Sequence, residues 1–152
     1  INIYSIYTSL MNMSLNGVLT LIYLQFINAP LNGPTLGAFL AVVGFGAYGK
    51  NIRTISSIYL GVLLGQYLGF WQANSPAMIF AAMFGTALSP ITVKFGFFVG
   101  IIASFMNAFI STQLGSLHAG LNLYNTGFAS GIVATFFSAF LSILPLPKQK
   151  NL

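Results

Sequence analysis

Apolar stretches recur along the whole chain, broken only by short runs of Asn, Pro, Gly and Ser. Several reach the roughly 20 residues that a helix needs to cross a hydrocarbon core. Of the 152 residues, 57% are hydrophobic and 3% charged, against about 25% charged in an average domain. A chain of this kind has little with which to cover a wetted surface. The sequence therefore predicts an all-α, polytopic helical membrane protein with about six transmembrane helices, residues 1–152 forming one domain.

The breaks set the order of elements. Asn28-Ala-Pro-Leu-Asn-Gly-Pro34 ends a first apolar run that begins in earnest near Val18, since two prolines and two asparagines cannot continue a helix. Asn32 and Asn74, each followed by Pro two residues on, read as helix starts with an N-cap. The expected helices after the first are Thr35 to Tyr48, Ile55 to Phe70, Ala77 to Leu88, Phe95 to Gln113 and Phe128 to Leu144. Ala77 to Leu88 is short enough to be re-entrant rather than spanning. An Asn-x-Pro start, an apolar run, a lysine and a second apolar run occur twice, which suggests duplicated helical hairpins at 32–70 and 74–113.

Lys50, Arg53, Lys94, Lys148 and Lys150 are the basic residues, and Asp and Glu are absent. All five fall on one side of the predicted alternation, so the positive-inside rule places both ends of the segment in the cytoplasm of a cell-membrane protein. The same residues form no clustered basic face for nucleic acid. Without carboxylates or cysteines the chain lacks the usual acids, bases, thiol nucleophiles and metal ligands, so neither an enzyme nor a metal site or other cofactor is expected. Ile1 in place of an initiating Met suggests a fragment whose N-terminal half is missing.

Residues 116–131 gather the one histidine, His118, with Asn122, Tyr124, Asn125 and Thr126. Polar groups at membrane depth must face protein, water or a ligand, so His118, Asn122, Tyr124 and Asn125, with Asn107 nearby, are the candidate substrate-binding residues. Asn12, Asn16, Gln66, Thr86 and Ser104 fit interhelical hydrogen bonding. Gly61, Gly65 and Gly69, the series Gly96, Gly100 and Ser104, and the pair Gly127 and Gly131 have the small-residue spacing that brings helices into contact. The expected function is transport or channelling of a small solute. The alternative is a non-transporting membrane subunit or scaffold that docks partner helices through glycine faces. Lipid, the missing N-terminal half and further copies of the chain are the expected partners.

Four motifs carry a resemblance: Leu31-Asn-Gly-Pro-Thr-Leu-Gly37, Val43-Gly-Phe-Gly-Ala-Tyr-Gly-Lys50, Ala82-Met-Phe-Gly-Thr-Ala-Leu-Ser-Pro90, and the run from His118 to Gly131. Together, over roughly Val18 to Phe140, they resemble an uncharacterised bacterial multi-pass membrane family, a domain of unknown function found mainly in Gram-positive anaerobes and their relatives. The resemblance implies a protein of several hundred residues of which this is the C-terminal part, and no known substrate. Ala119-Gly-Leu121 and Tyr124-Asn-Thr-Gly127 are also similar, more faintly, to urea channels, which makes a neutral solute conceivable.

Overall fold

The computed structural model describes residues 6–114 and 122–143. These form seven α-helices: α1 Ile6–Phe26, α2 Gly33–Phe45, α3 Ile52–Tyr67, α4 Pro76–Gly85, α5 Ser89–Phe95, α6 Phe97–Gln113 and α7 Asn122–Ile143. Short 3-10 turns at Gly46–Tyr48 and Thr86–Leu88 extend α2 and join α4 to α5.

Local chemistry accounts for the boundaries. Asn32 caps α2, its side-chain oxygen accepting from the Thr35 amide at 3.0 Å, with Pro34 in the first turn. Asn51 caps α3 through a reciprocal pair: its Oδ1 accepts from Thr54 N and Thr54 Oγ1 accepts from Asn51 N, both at 3.2 Å, which satisfies two otherwise orphaned donors. The expected cap at Asn74 is corrected: Ser75 is the N-cap of α4 and makes no side-chain capping bond. The single helix expected over 95–113 starts instead after Gly96, whose φ of +100° breaks the chain between α5 and α6.

The organising element is α3. Ile55, Ile58, Tyr59 and Val62 lie along one face of it and are buried, the i, i+3, i+4, i+7 spacing of a core-facing helix. Ile55, Tyr59 and Val62 join Leu24, Val42, Met78 and Met83 in one core cluster, while Ile58 meets Leu88, Ile91, Ala103 and Val133 in a second. Its closest neighbour is α6. Gly61 of α3 faces the Ile101 carbonyl and Ser104 of α6, and Gly65 lies under the Trp71 ring, so a Cβ at either position would overlap its neighbour. Gly100 is similarly tight against Thr92 and Ser57. Gly69 and Gly96 instead adopt positive φ at helix ends, and Gly127 and Gly131 face open space.

The expectation of about six membrane crossings is corrected by this architecture. Among the described residues one helical run, Pro76–Phe95 at 20 residues, is both long and apolar enough to cross a membrane. It is apolar on all sides because it is a core element: Met78, Ile79, Ala81, Ala82 and Met83 are all buried by neighbouring helices, and 61% of its most apolar stretch lies inside the structure. An all-round apolar helix is as much the signature of a buried core helix as of a span. Gly33–Tyr48 and Phe97–Gln113 are apolar but shorter. At 1.5 Å per residue the 17 residues of α6 rise about 26 Å, short of the ~30 Å hydrocarbon core. Though α1 and α7 are long, polar residues interrupt them, among them Asn12, Asn16 and Thr20 in one and Asn125, Thr126 and Ser130 in the other.

The dependent expectations fall with that count. They are the multi-pass character carried by the family resemblance, the cell-membrane localisation with cytoplasmic ends, the bilayer as partner, and the solute transporter or channel. Of the glycine faces invoked for the alternative scaffold, those of Gly61, Gly65 and Gly100 are occupied by α6, Trp71 and α5 of the same chain and so dock no partner helix. Large apolar side chains do remain outside, including Ile6, Met11, Phe26, Phe98, Phe128 and Phe140.

Candidate functional site

Polar side chains within the bundle are used in pairs rather than along a path. Ser57 and Thr92 hydroxyls meet at 2.8 Å, joining α3 to α5; Ser104 donates to the Ile58 carbonyl at 2.6 Å, joining α6 to α3. Thr20 and Tyr59 hydroxyls lie 2.8 Å apart between α1 and α3, where the Tyr59 ring stacks on Tyr23 at 4.3 Å between centroids. Burial holds both phenols well above the usual tyrosine range, so both are neutral. The Tyr23 hydroxyl is buried without a hydrogen-bond partner, whereas Tyr59 has Thr20. Tyr23→Phe is therefore expected to be neutral or to stabilise by up to about 1 kcal/mol, and Tyr59→Phe to destabilise by about 1 kcal/mol. Thermal melts of the two variants separate them by sign.

The residues singled out around His118 distribute as follows. His118 lies outside the described residues, and Asn122 is described only as the first residue of α7. On that helix Tyr124 is exposed while Asn125 is buried, as neighbours about 100° apart on a helix must diverge. Asn107 is fully buried on α6, and its Oδ1 accepts from Ser130 Oγ of α7 at 3.1 Å. Thus Asn107 reaches α7 one to two turns beyond the predicted cluster.

A different residue stands out chemically. Lys50 sits between the 3-10 turn after α2 and the start of α3, half-buried. Its Nζ donates to Thr86 Oγ1 at 3.2 Å and lies 4.0 Å from the centroid of the Phe45 ring. Its backbone carbonyl is pinned by Asn16 Nδ2 at 2.8 Å. Burial lowers its pKa from 10.5 to about 8, since desolvation disfavours the charged form. At pH 7 it is still mostly an ammonium, and a buried charge is normally paired with one of opposite sign. No Asp or Glu exists anywhere in the sequence to pair with it.

Lys50 lines a pocket of about 470 Å³ with Tyr48, Thr54, Ser89, Pro90 and Lys94. Packing of α5 against α3 brings Lys94 there from 44 positions along the chain. The walls are mostly apolar, from Ala87, Pro90 and Val93, with hydroxyls at Tyr48, Thr54 and Ser89. The positive end of the α3 dipole, beginning at Ile52, adds to the local potential. Sequence reasoning used Lys50 and Lys94 to orient the predicted segments. The signal available beforehand was the lack of any acidic residue to partner them, but which lysine is buried and which neighbours it meets depend on helix packing. Among the described residues no cluster of three or more metal-ligating side chains occurs.

Fold and site together define an all-α domain with a small cationic pocket at the head of its central helix. The chain belongs to the family described as Protein of unknown function (DUF1576), which matches residues 1–143. Neither curated proteins nor solved structures give a match.

Proposed function

We propose that this domain is a non-catalytic binding domain for a small anion, taken up at the pocket of Lys50 and Lys94. The observation that carries the reading is the half-buried Lys50 ammonium, fixed by Thr86 and Phe45 in a chain without a single acidic side chain. An anion supplied from outside offsets the desolvation of Lys50. The partial burial of Lys50 lowers the local dielectric and strengthens the attraction. The pocket volume, about 470 Å³, falls in the range of small-molecule sites.

Isothermal titration with inorganic phosphate and with acetate tests this. Saturable binding of at least one is expected, weakened at least tenfold in Lys94→Met and lost in Lys50→Met. With acetate, which stays ionised throughout the neutral range, the affinity should be constant from about pH 6 up to the Lys50 pKa of about 8 and fall about tenfold per pH unit above it, because the anion binds only the protonated amine. Lys94 and the phenol of Tyr48 are the other ionisable groups lining the pocket. No heat with either anion, or an affinity unchanged by Lys50→Met, overturns the reading.

A further inference from the structure

At the opposite end of α3, about 24 Å from Lys50 by helical rise, the α1–α2 and α3–α4 links meet around a second pocket, of about 640 Å³. Four carboxamides line it, Asn28, Gln66, Gln72 and Asn74, together with Trp71 and Phe26. None of the lining side chains is ionisable. An ionic ligand would find no countercharge there, so the lining favours neutral ligands.

Trp71, Gln66 and the backbone of Asn28 are held in place before any ligand arrives. Trp71 Nε1 donates to the Val62 carbonyl at 2.9 Å, and the ring lies over Gly65, 5.4 Å from the Phe105 centroid. Gln66 Oε1 accepts from the Ala73 amide at 2.7 Å, which fixes the carboxamide. Asn28 is held in a left-handed conformation, φ +54°. Asn74 is not consumed by capping α4, unlike Asn32 at the start of α2. Such fixed groups avoid the ordering cost of binding.

Carboxamides both donate and accept hydrogen bonds, as hydroxyls do, and an indole offers an apolar surface to C–H groups. We infer that this pocket binds a neutral polyhydroxylated ligand, of the size of a mono- or disaccharide, with its C–H face on Trp71 and its hydroxyls toward Asn28, Gln66, Gln72 and Asn74. The inference is independent of the anion site, which shares no lining residue with it.

Trp71 is the single tryptophan in the chain beside seven tyrosines, so emission excited at the red edge, where only tryptophan absorbs, reports on this residue alone. Titration with glucose, N-acetylglucosamine and maltose, with glycerol as a solvent control, should give a saturable change in emission for at least one sugar and only a linear drift for glycerol. Gln72 and Asn74 are exposed, so Gln72→Leu and Asn74→Leu leave the core untouched, and each should weaken the sugar response at least fivefold with unchanged circular dichroism. A response to none of the sugars overturns the inference, as does one that persists at full strength in both variants or that glycerol reproduces.

Discussion

Gly61→Leu should destabilise the domain by about 3–5 kcal/mol, a large share of the ~5–15 kcal/mol that holds a typical domain together. The side chain would have to enter the space of the Ile101 carbonyl and Ser104 on α6, and backbone cannot rotate aside as a flexible side chain can. Separation of α3 from α6 then stretches the Ser104–Ile58 hydrogen bond of 2.6 Å and opens the cluster of Ile58 and Ala103. Overpacking of this kind costs about 1–3 kcal/mol, and an orphaned buried hydrogen-bonding group about 1–3 more. Gly131→Ala is the matched control. Its Cβ meets nothing within 4 Å, so only helix propensity changes, and a gain of up to about 1 kcal/mol is expected. Equilibrium chemical denaturation followed by circular dichroism reads both; equal shifts for the two variants would show that the α3–α6 contact is not the tight one.

That contrast marks what was readable from the sequence. Spacing of four identifies Gly61, Gly65 and Gly131 alike as small-residue positions, because the period of a helix is visible in a linear string. Which of them touches another backbone is a property of the partner. Trp71 covers Gly65 from a loop, and Gly131 faces outward. The helix starts at Asn32 and Asn51 depend on residues within three positions, and for Asn32 the expectation and the structure agree. At Asn74 the same motif is shifted by one residue, so the capping role disappears. The membrane expectation came from summed apolar content, which does not say whether an apolar residue meets lipid or another helix. For Met78, Ile79, Ala82 and Met83 the answer is another helix. The pocket of Lys50 and Lys94 has no linear signature, since the two meet only when α5 packs against α3, and the polar residues around His118 lie in part outside the described residues.

Lys50→Met should make the anion-free protein more stable at neutral pH, by on the order of 1 kcal/mol once solvent screening of a partly exposed group is allowed for. Methionine keeps the unbranched apolar stem and removes the desolvated charge. Thr86 is not orphaned by the change, because its hydroxyl still donates to the Met83 carbonyl at 2.7 Å. The pH dependence follows from the lowered pKa. In the unfolded chain Lys50 holds its proton up to about 10.5 and in the folded one to about 8, so between these values the unfolded state binds more protons and stability rises with pH. The penalty is present in full below pH 8 and gone above 10.5. The advantage of Lys50→Met should therefore shrink across that window, being largest at neutral pH. Saturating phosphate or acetate should reverse the order at pH 7, since a ligand that binds only the folded wild type stabilises it by mass action, about 2.7 kcal/mol at a hundred times Kd. A wild type more stable than Lys50→Met at every pH, with or without anion, would make Lys50 a structural donor to Thr86 and remove the basis for an anion site. A crossing of the two stability curves on adding anion identifies a residue that weakens the empty fold in order to bind.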